Sequence, residues 1–431
     1  MAPPSELSNE SALEKGVIRQ RTSEGSTSVA TLSKPPEPPR PEPPEGGRKA
    51  WLSLLGASLA LFVSFGWVNC IALFQAEYET HQLRDYSQSE VSWITSMEFA
   101  FMLLFSPVAG RLFDNYGPRL PVAIGTFMHY YQFALSQSVC SGIGASFIFT
   151  PCMTAPMTFF RKKRALAGGL TIAGSSLGGV IFPLMVVRLI PRIGFPWTMR
   201  TCAFMILGLL VITNATISSN LEHSPRPFKI SQYLRPLQEV NYLLIAISSF
   251  FLYWAMFVPF DYIVSAGIHY GMSTSMAFNL IPILNGTSFF GRTIPNMLAD
   301  KFGGFNVMII MMVYSMITVL AIWLPGRSSA TSILFAALFG IGSGASIGLG
   351  PVLIMGISPM KEVGYRMGTI FAVAGIGALT SPPIGGAIVG ATSGGDFDFA
   401  CVFSGANYFV AVCLLVVLRV RLVGWEIMVK G

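Results

Sequence analysis

The chain has 431 residues, 52% hydrophobic and only 11% charged, with a net charge of +7. Soluble domains carry about 25% charged residues, so this composition excludes a water-soluble globule. The Lys and Arg residues are scattered between apolar runs, which also excludes a basic nucleic-acid face. Nearly uncharged runs of about 20 residues recur, the length that spans a hydrocarbon core about 30 Å thick, and no alternating ten-residue segments suggest a barrel. The reading is an all-α polytopic membrane protein.

In chain order, residues 1–47 are rich in Ser, Pro and Glu and lack a cleavable signal peptide. They cannot bury a core and are expected to be a disordered cytosolic tail. Apolar segments follow at 51–75, 91–113, 120 to about 160, 165–190, 197–218, 240–268, 274–299, 305–325, 331–357, 365–391 and 398–418. If the 120–160 block holds two helices, the total is twelve spans. The polar stretch 219–239 then separates an N-terminal six-helix half, 48–218, from a C-terminal half, 240–418, and 419–431 is a short cytosolic tail. With the N-terminus inside, inner loops carry twelve Lys and Arg and outer loops five, which predicts both termini in the cytosol. The acidic 77–90 segment is then extracytosolic, and the block 120–160 must cross twice to keep Arg161–Arg164 inside. The six cysteines lie in apolar runs without metal-ligand spacing, and His129 and His269 read as interfacial.

The two halves repeat. Leu112, Asp114 and Gly117 match Leu298, Asp300 and Gly303 at an offset of 186, whereas Pro151, Gly168 and Pro183 match Pro351, Gly368 and Pro383 at an offset of 200. The first half is therefore 14 residues short between Gly117 and Pro151. That is about 21 Å of helix, most of one span. Span three is expected to be stunted, from Leu120 to about His129, with span four starting near Tyr130 and Tyr130 and Tyr131 drawn toward an interface. A turn near Gln137–Ser141 is the other partition.

Gly110-Arg-Leu-Phe-Asp114-Asn-Tyr-Gly117-Pro-Arg119 closes span two, and Asn296-Met-Leu-Ala-Asp300-Lys-Phe-Gly303 closes span eight. The glycines allow tight turns, and Asp114 can meet a helix N-terminus or an arginine when the inner side is closed. This loop signature resembles that of the major facilitator superfamily. Glu45-Gly-Gly-Arg-Lys-Ala-Trp51 and the run from Phe159 to Gly174 resemble two signatures of its monocarboxylate-porter family, most closely the fungal branch, with departures at Phe159, Lys163 and Thr171. The resemblance covers about residues 45–425. It implies two six-helix halves related by a parallel repeat and a secondary transporter that rocks between two states.

Ionisable residues at membrane depth are costly and point to function. Glu98, Asp261 and Arg292 stand out. Arg292 offers a bidentate fork to a carboxylate, and the resemblance implies that it holds substrate; the alternative is a structural salt bridge. Where the family carries a second acidic group and a span-one lysine, this chain has Ser288 and Asn69. Proton coupling therefore passes, if anywhere, to Glu98 or Asp261, each of which could also be an ion pair or a group at the cavity mouth. Trp254 and Tyr262 are expected to line the cavity with Asn69. Pro382, Pro383 and Gly385 resemble the family's hinge in span eleven, and Gly110, Asp114, Gly117, Arg119 and Asp300 form the gating loops. Gly174-Ser-Ser-Leu-Gly178 and Gly344-Ala-Ser-Ile-Gly348 match G-x-S-x-G, but inside apolar helices they read as helix-packing faces.

The expected function is secondary active or facilitative transport of a small, monocarboxylate-like organic anion or related metabolite, alone or with protons, across the plasma membrane or a vacuolar membrane. The alternative is a transport-defective member, given the short span three. No ATP-binding loop, metal cluster, catalytic constellation, cofactor or obligate protein partner is expected.

Overall fold

A computed structural model describes residues 45–69, 97–132, 139–225, 227, 231–392 and 396–425. From Glu45 onward these belong to one compact unit. The tail up to residue 44, the acidic 77–90 segment, Cys70, the side chains of His129, Tyr130, Tyr131 and Cys140, and the end of the chain from 426 lie outside the described residues.

Every described span is helical, as a backbone in hydrocarbon requires, because only a helix satisfies its own N–H and C=O groups there. Span one is Arg48–Val63 continued by Phe65–Val68. Span two is described from residue 97 and ends with Ser106–Tyr116. Spans three and four contain the helices Arg119–Gln132 and Val139–Met157. Spans five and six form the 53-residue stretch Arg164–Thr216, long enough to cross twice, which breaks at Gly194 with φ 75°. Spans seven to twelve follow as Val240–His269, Leu280–Phe302, Gly304–Trp323, Ser329–Gly356, Val363–Ala391 and Asp398–Val423.

Spans two and eight stop for the same reason, at Gly117 (φ 78°) and Gly303 (φ 91°), a backbone conformation that a side chain resists. Span ten starts with a capping box in which Ser328 accepts from the Thr331 N–H at 3.3 Å. The glycine faces pack as the sequence suggests. A Cβ on Gly178 of span five would lie 2.8 Å from the Gly66 Cα of span one, and one on Gly344 of span ten would meet Ser288 of span eight. Larger residues would push these backbones apart.

Span four does not begin at Tyr130. The third-span helix continues through Tyr130 and Tyr131 to at least Gln132, and the described part of span four begins at Val139. Between Gly125 and Gln132 no Gly or Pro interrupts the helix, and adding residues to a formed helix is favourable. The 14 described residues rise about 21 Å, and where the third span ends lies outside the described residues.

Candidate functional site

At one end of the bundle the two repeated aspartates cap helices of the other half. Asp114 accepts the Gly364 and Tyr365 N–H groups, each at 2.8 Å, at the start of span eleven. Asp300 accepts those of Ala165 at 2.8 Å and Leu166 at 2.9 Å, at the start of span five. Each carboxylate satisfies two of the N–H groups that a helix N-terminus leaves unpaired, in the favourable end of the helix dipole. Gly110 and Gly364 make this approach possible, since a Cβ on Gly364 would lie 2.6 Å from the Asp114 Oδ1.

The central loop covers the same end. Arg111 donates to the Gln232 side chain at 2.7 Å and the Pro227 carbonyl at 2.6 Å, and Arg119 to the Ile217 carbonyl at 3.3 Å. His223 sits over Gly117, its Nδ1 3.2 Å from the Asp114 carbonyl and its Nε2 on the Ser219 hydroxyl. Burial lowers the His223 pKa, against the raising effect of the Asp114 and Phe113 carbonyls. At the start of span eleven, Arg366 is held by Glu239 and, at 3.3 Å, by Glu362. Just before span one, Glu45 accepts the Arg161 and Lys162 N–H groups at 2.8 and 2.6 Å. This end of the bundle is shut by hydrogen bonds from several elements at once.

Deeper in, Arg292 is 1% exposed. Its Nη1 donates to the Ile172 carbonyl at 3.2 Å and to the Ser175 hydroxyl, both on span five, while its Nε has no hydrogen-bond partner. Its Cζ lies 5.6 Å from the centre of the Phe65 ring of span one. No carboxylate among the described residues pairs with it. Asn69 joins the same group, its Nδ2 3.4 Å from the Ser175 carbonyl, and a Cβ on Gly179 would lie 2.8 Å from both Asn69 and Asn285. Spans one, five and eight thus bring Asn69, Ser175, Asn285 and Arg292 into one polar seam. Sequence reasoning missed Ser175 and Asn285. The available signal was a hydroxyl on the small-residue face of span five and an amide about two helical turns before Arg292.

The remaining candidates fall elsewhere. Glu98, 1% exposed, accepts from the Ser141 hydroxyl of span four and has no cationic partner among the described residues. Asp261 is exposed. Ser288 is buried with an unpartnered hydroxyl against Gly344, facing span ten. Trp254 and Tyr262 do not join Arg292. Trp254 donates to Thr380 at 2.7 Å and Tyr262 to the Pro382 carbonyl at 2.6 Å, so both tie span seven to the Pro382–Pro383 kink, with the Tyr262 ring over Gly385. The reason is geometric: one face of span seven packs on span eleven, and these two residues lie on it. His269 is at the opposite end of span seven, 3.8 Å from Asp396.

The sequence profile of the Major Facilitator Superfamily matches residues 50–326. An MFS-type transporter of Penicillium oxalicum, opdF, is 61% identical over 98% of this chain and all of its own length. A fujikurins efflux protein of Gibberella fujikuroi is 40% identical, covering 86% of this chain and 83% of that protein. An aspyridones efflux protein of Emericella nidulans, apdF, is 36% identical, covering 86% and 78%. Among solved structures, the transporter FucP in its outward conformation superposes with a TM-score of 0.65 at 15% identity, covering 86% of this chain and 99% of that one.

Proposed function

The chain belongs to the Major Facilitator Superfamily, as a membrane transporter rather than an enzyme, and on that premise we propose that it moves an organic anion with one carboxylate by alternating access. The carrying observation is Arg292, a buried guanidinium at the meeting of spans one, five and eight with no described acidic partner. A substrate carboxylate would supply the missing counter-charge, and the free Nε adds a donor for it. Asn69 and Ser175 position the fork. The halves 48–218 and 240–418 rock about this site, and the end shut by Asp114 and Asp300 opens when those caps release.

Outward transport across the plasma membrane, with both termini in the cytosol, is the preferred direction. The Lys and Arg bias supports the orientation, and relatives named as efflux proteins support the direction. Glu98, a buried carboxyl with a hydroxyl for a partner, is the candidate proton carrier. A second reading, a transport-impaired chain, draws on the repeat offset, by which the first half is 14 residues short between Gly117 and Pro151.

The test is flux of labelled organic acids in proteoliposomes of the full chain, with and without a pH gradient. Arg292→Ala is expected to lower flux about 10- to 100-fold, the loss of a charge-assisted hydrogen bond of ~1.5–3 kcal/mol. Arg292→Lys should fall between, keeping the charge without the fork. Unchanged flux in Arg292→Ala sinks the site. No flux from the wild-type chain under any gradient favours the second reading.

A further inference from the structure

Arg292 lies over one member of a continuous series of aromatic rings. Phe371 of span eleven lies 5.2 Å from Phe149 of span four, and Phe149 stacks on Phe65 of span one at 5.8 Å with 24° between planes. Phe65 meets Phe99 of span two at 5.7 Å, and Phe99 meets Phe257 of span seven at 4.6 Å. Phe257 stacks on Tyr253 at 5.8 Å and 23°, and Tyr253 lies within electrostatic reach of Arg292. Among the described residues of the spans, two ring pairs join the first six helices to the last six: Phe149–Phe371 and Phe99–Phe257. Phe149 and Phe371 are each eight residues from the Asp114 end of their helices, about 12 Å, whereas Phe99 and Phe257 are each seventeen residues away, about 25 Å. The guanidinium rests on Phe65, the ring that links the two pairs.

We propose that these rings wall a single compartment around Arg292 whose ligand is an organic anion with one acidic group and a flat, unsaturated or aromatic body. This rests on the reading of Arg292 as the anion-binding residue. The chemistry follows from what lines the space. A ring–ring contact between the halves is exchangeable for a ring–ligand contact, because Phe149 and Phe371 are tilted at 54° and do not stack, so a flat ligand between them can offer each ring a face or an edge in place of the contact they now share. A short aliphatic acid has no such surface and leaves the rings packed on themselves. Among the described residues Arg292 is the one cation that contacts the series, and Asn69 and Ser175 are neutral, so a second acidic group on the ligand would find no cationic partner. A polyol fits poorly, since the rings offer neither donors nor acceptors for its hydroxyls. A cation would meet the guanidinium.

The experiment is calorimetric titration of the full chain in lipid nanodiscs with four probes: 1-naphthoate, propionate, 1-naphthamide and 1-naphthylmethylammonium. Naphthoate is expected to bind at least about tenfold tighter than propionate, with the neutral amide weaker and the ammonium undetectable. Phe149→Leu and Phe371→Leu keep apolar volume and are expected to lower naphthoate affinity about three- to tenfold while leaving propionate unchanged. Phe371→Tyr, which keeps the ring, should retain the preference. Equal affinity for naphthoate and propionate, or Leu variants with an unchanged ratio, overturns the aromatic wall. If Arg292→Ala still abolishes binding of both acids in that case, the anion reading stands alone. If Arg292→Ala leaves both acids bound as before, or the ammonium binds as well as naphthoate, the anion reading itself has failed.

Discussion

Asp114→Asn tests how the shut end of the bundle is held. The carboxylate now accepts two N–H groups from the first turn of span eleven, both at 2.8 Å. An amide keeps one acceptor oxygen, turns an NH₂ group toward the other N–H, and removes the charge from the helix N-terminus. A hydrogen bond to a charged group is worth ~1.5–3 kcal/mol, and the charge–dipole interaction ~0.3–1 kcal/mol, part of which is the same energy. A net loss of about 2 kcal/mol acts on the shut state alone, because the cap joins two elements that separate on opening. The ratio of shut to open molecules should then fall about 30-fold. Nitroxide labels at Asn115 and Lys361, which line one small cleft beside Asp114, report the separation of spans two and eleven. With the six native cysteines replaced, double electron–electron resonance should show a long-distance population in Asp114→Asn that the parent lacks. Asp300→Asn should produce the same change, since its geometry at Ala165 and Leu166 matches. Unaltered distance distributions in both variants, and in the double variant, would refute the capping account.

Gly178→Ala places a methyl 2.8 Å from the Gly66 Cα, backbone that has nowhere to move, and should destabilise the fold by about 1–3 kcal/mol, read as a lower melting temperature in detergent. Glu98→Gln should leave downhill flux of organic acid intact while abolishing its response to a pH gradient; a retained response assigns coupling elsewhere. His223 has its pKa lowered chiefly by burial, so the folded chain binds fewer protons there than the unfolded one. Its contribution is complete above about pH 6.5 and is lost as pH falls through the folded value. Melting temperatures of the parent should therefore drop more between pH 7.5 and 5 than those of His223→Gln, and equal drops would count against it.

The membrane class, the helical fold and the paired gate loops were legible in the sequence because each is written in local chemistry. Apolar length fixes a span, Lys and Arg asymmetry suggests its direction, and Asp114 and Asp300 recur at one offset. Glycines such as Gly178 and Gly344 announce close helix contacts by having no side chain to hold the backbones apart. The change in repeat offset drew attention to the stretch between Gly117 and Pro151, but not to where its helices end: nothing between Gly125 and Gln132 says where a helix stops, and the structure carries the third-span helix past Tyr131. What the sequence could not state is which faces meet. Asn69, Ser175, Asn285 and Arg292 are spread over more than 200 positions, and only the packing of spans one, five and eight makes them neighbours. Trp254 and Tyr262 turn to span eleven for the same reason, a rotation of span seven that its uniformly apolar surface does not encode. In a lipid-facing helix every side is apolar, so periodicity carries little information about partners, and the tertiary structure alone decides that phenylalanines from five spans form one series of ring contacts, with Arg292 over one of them.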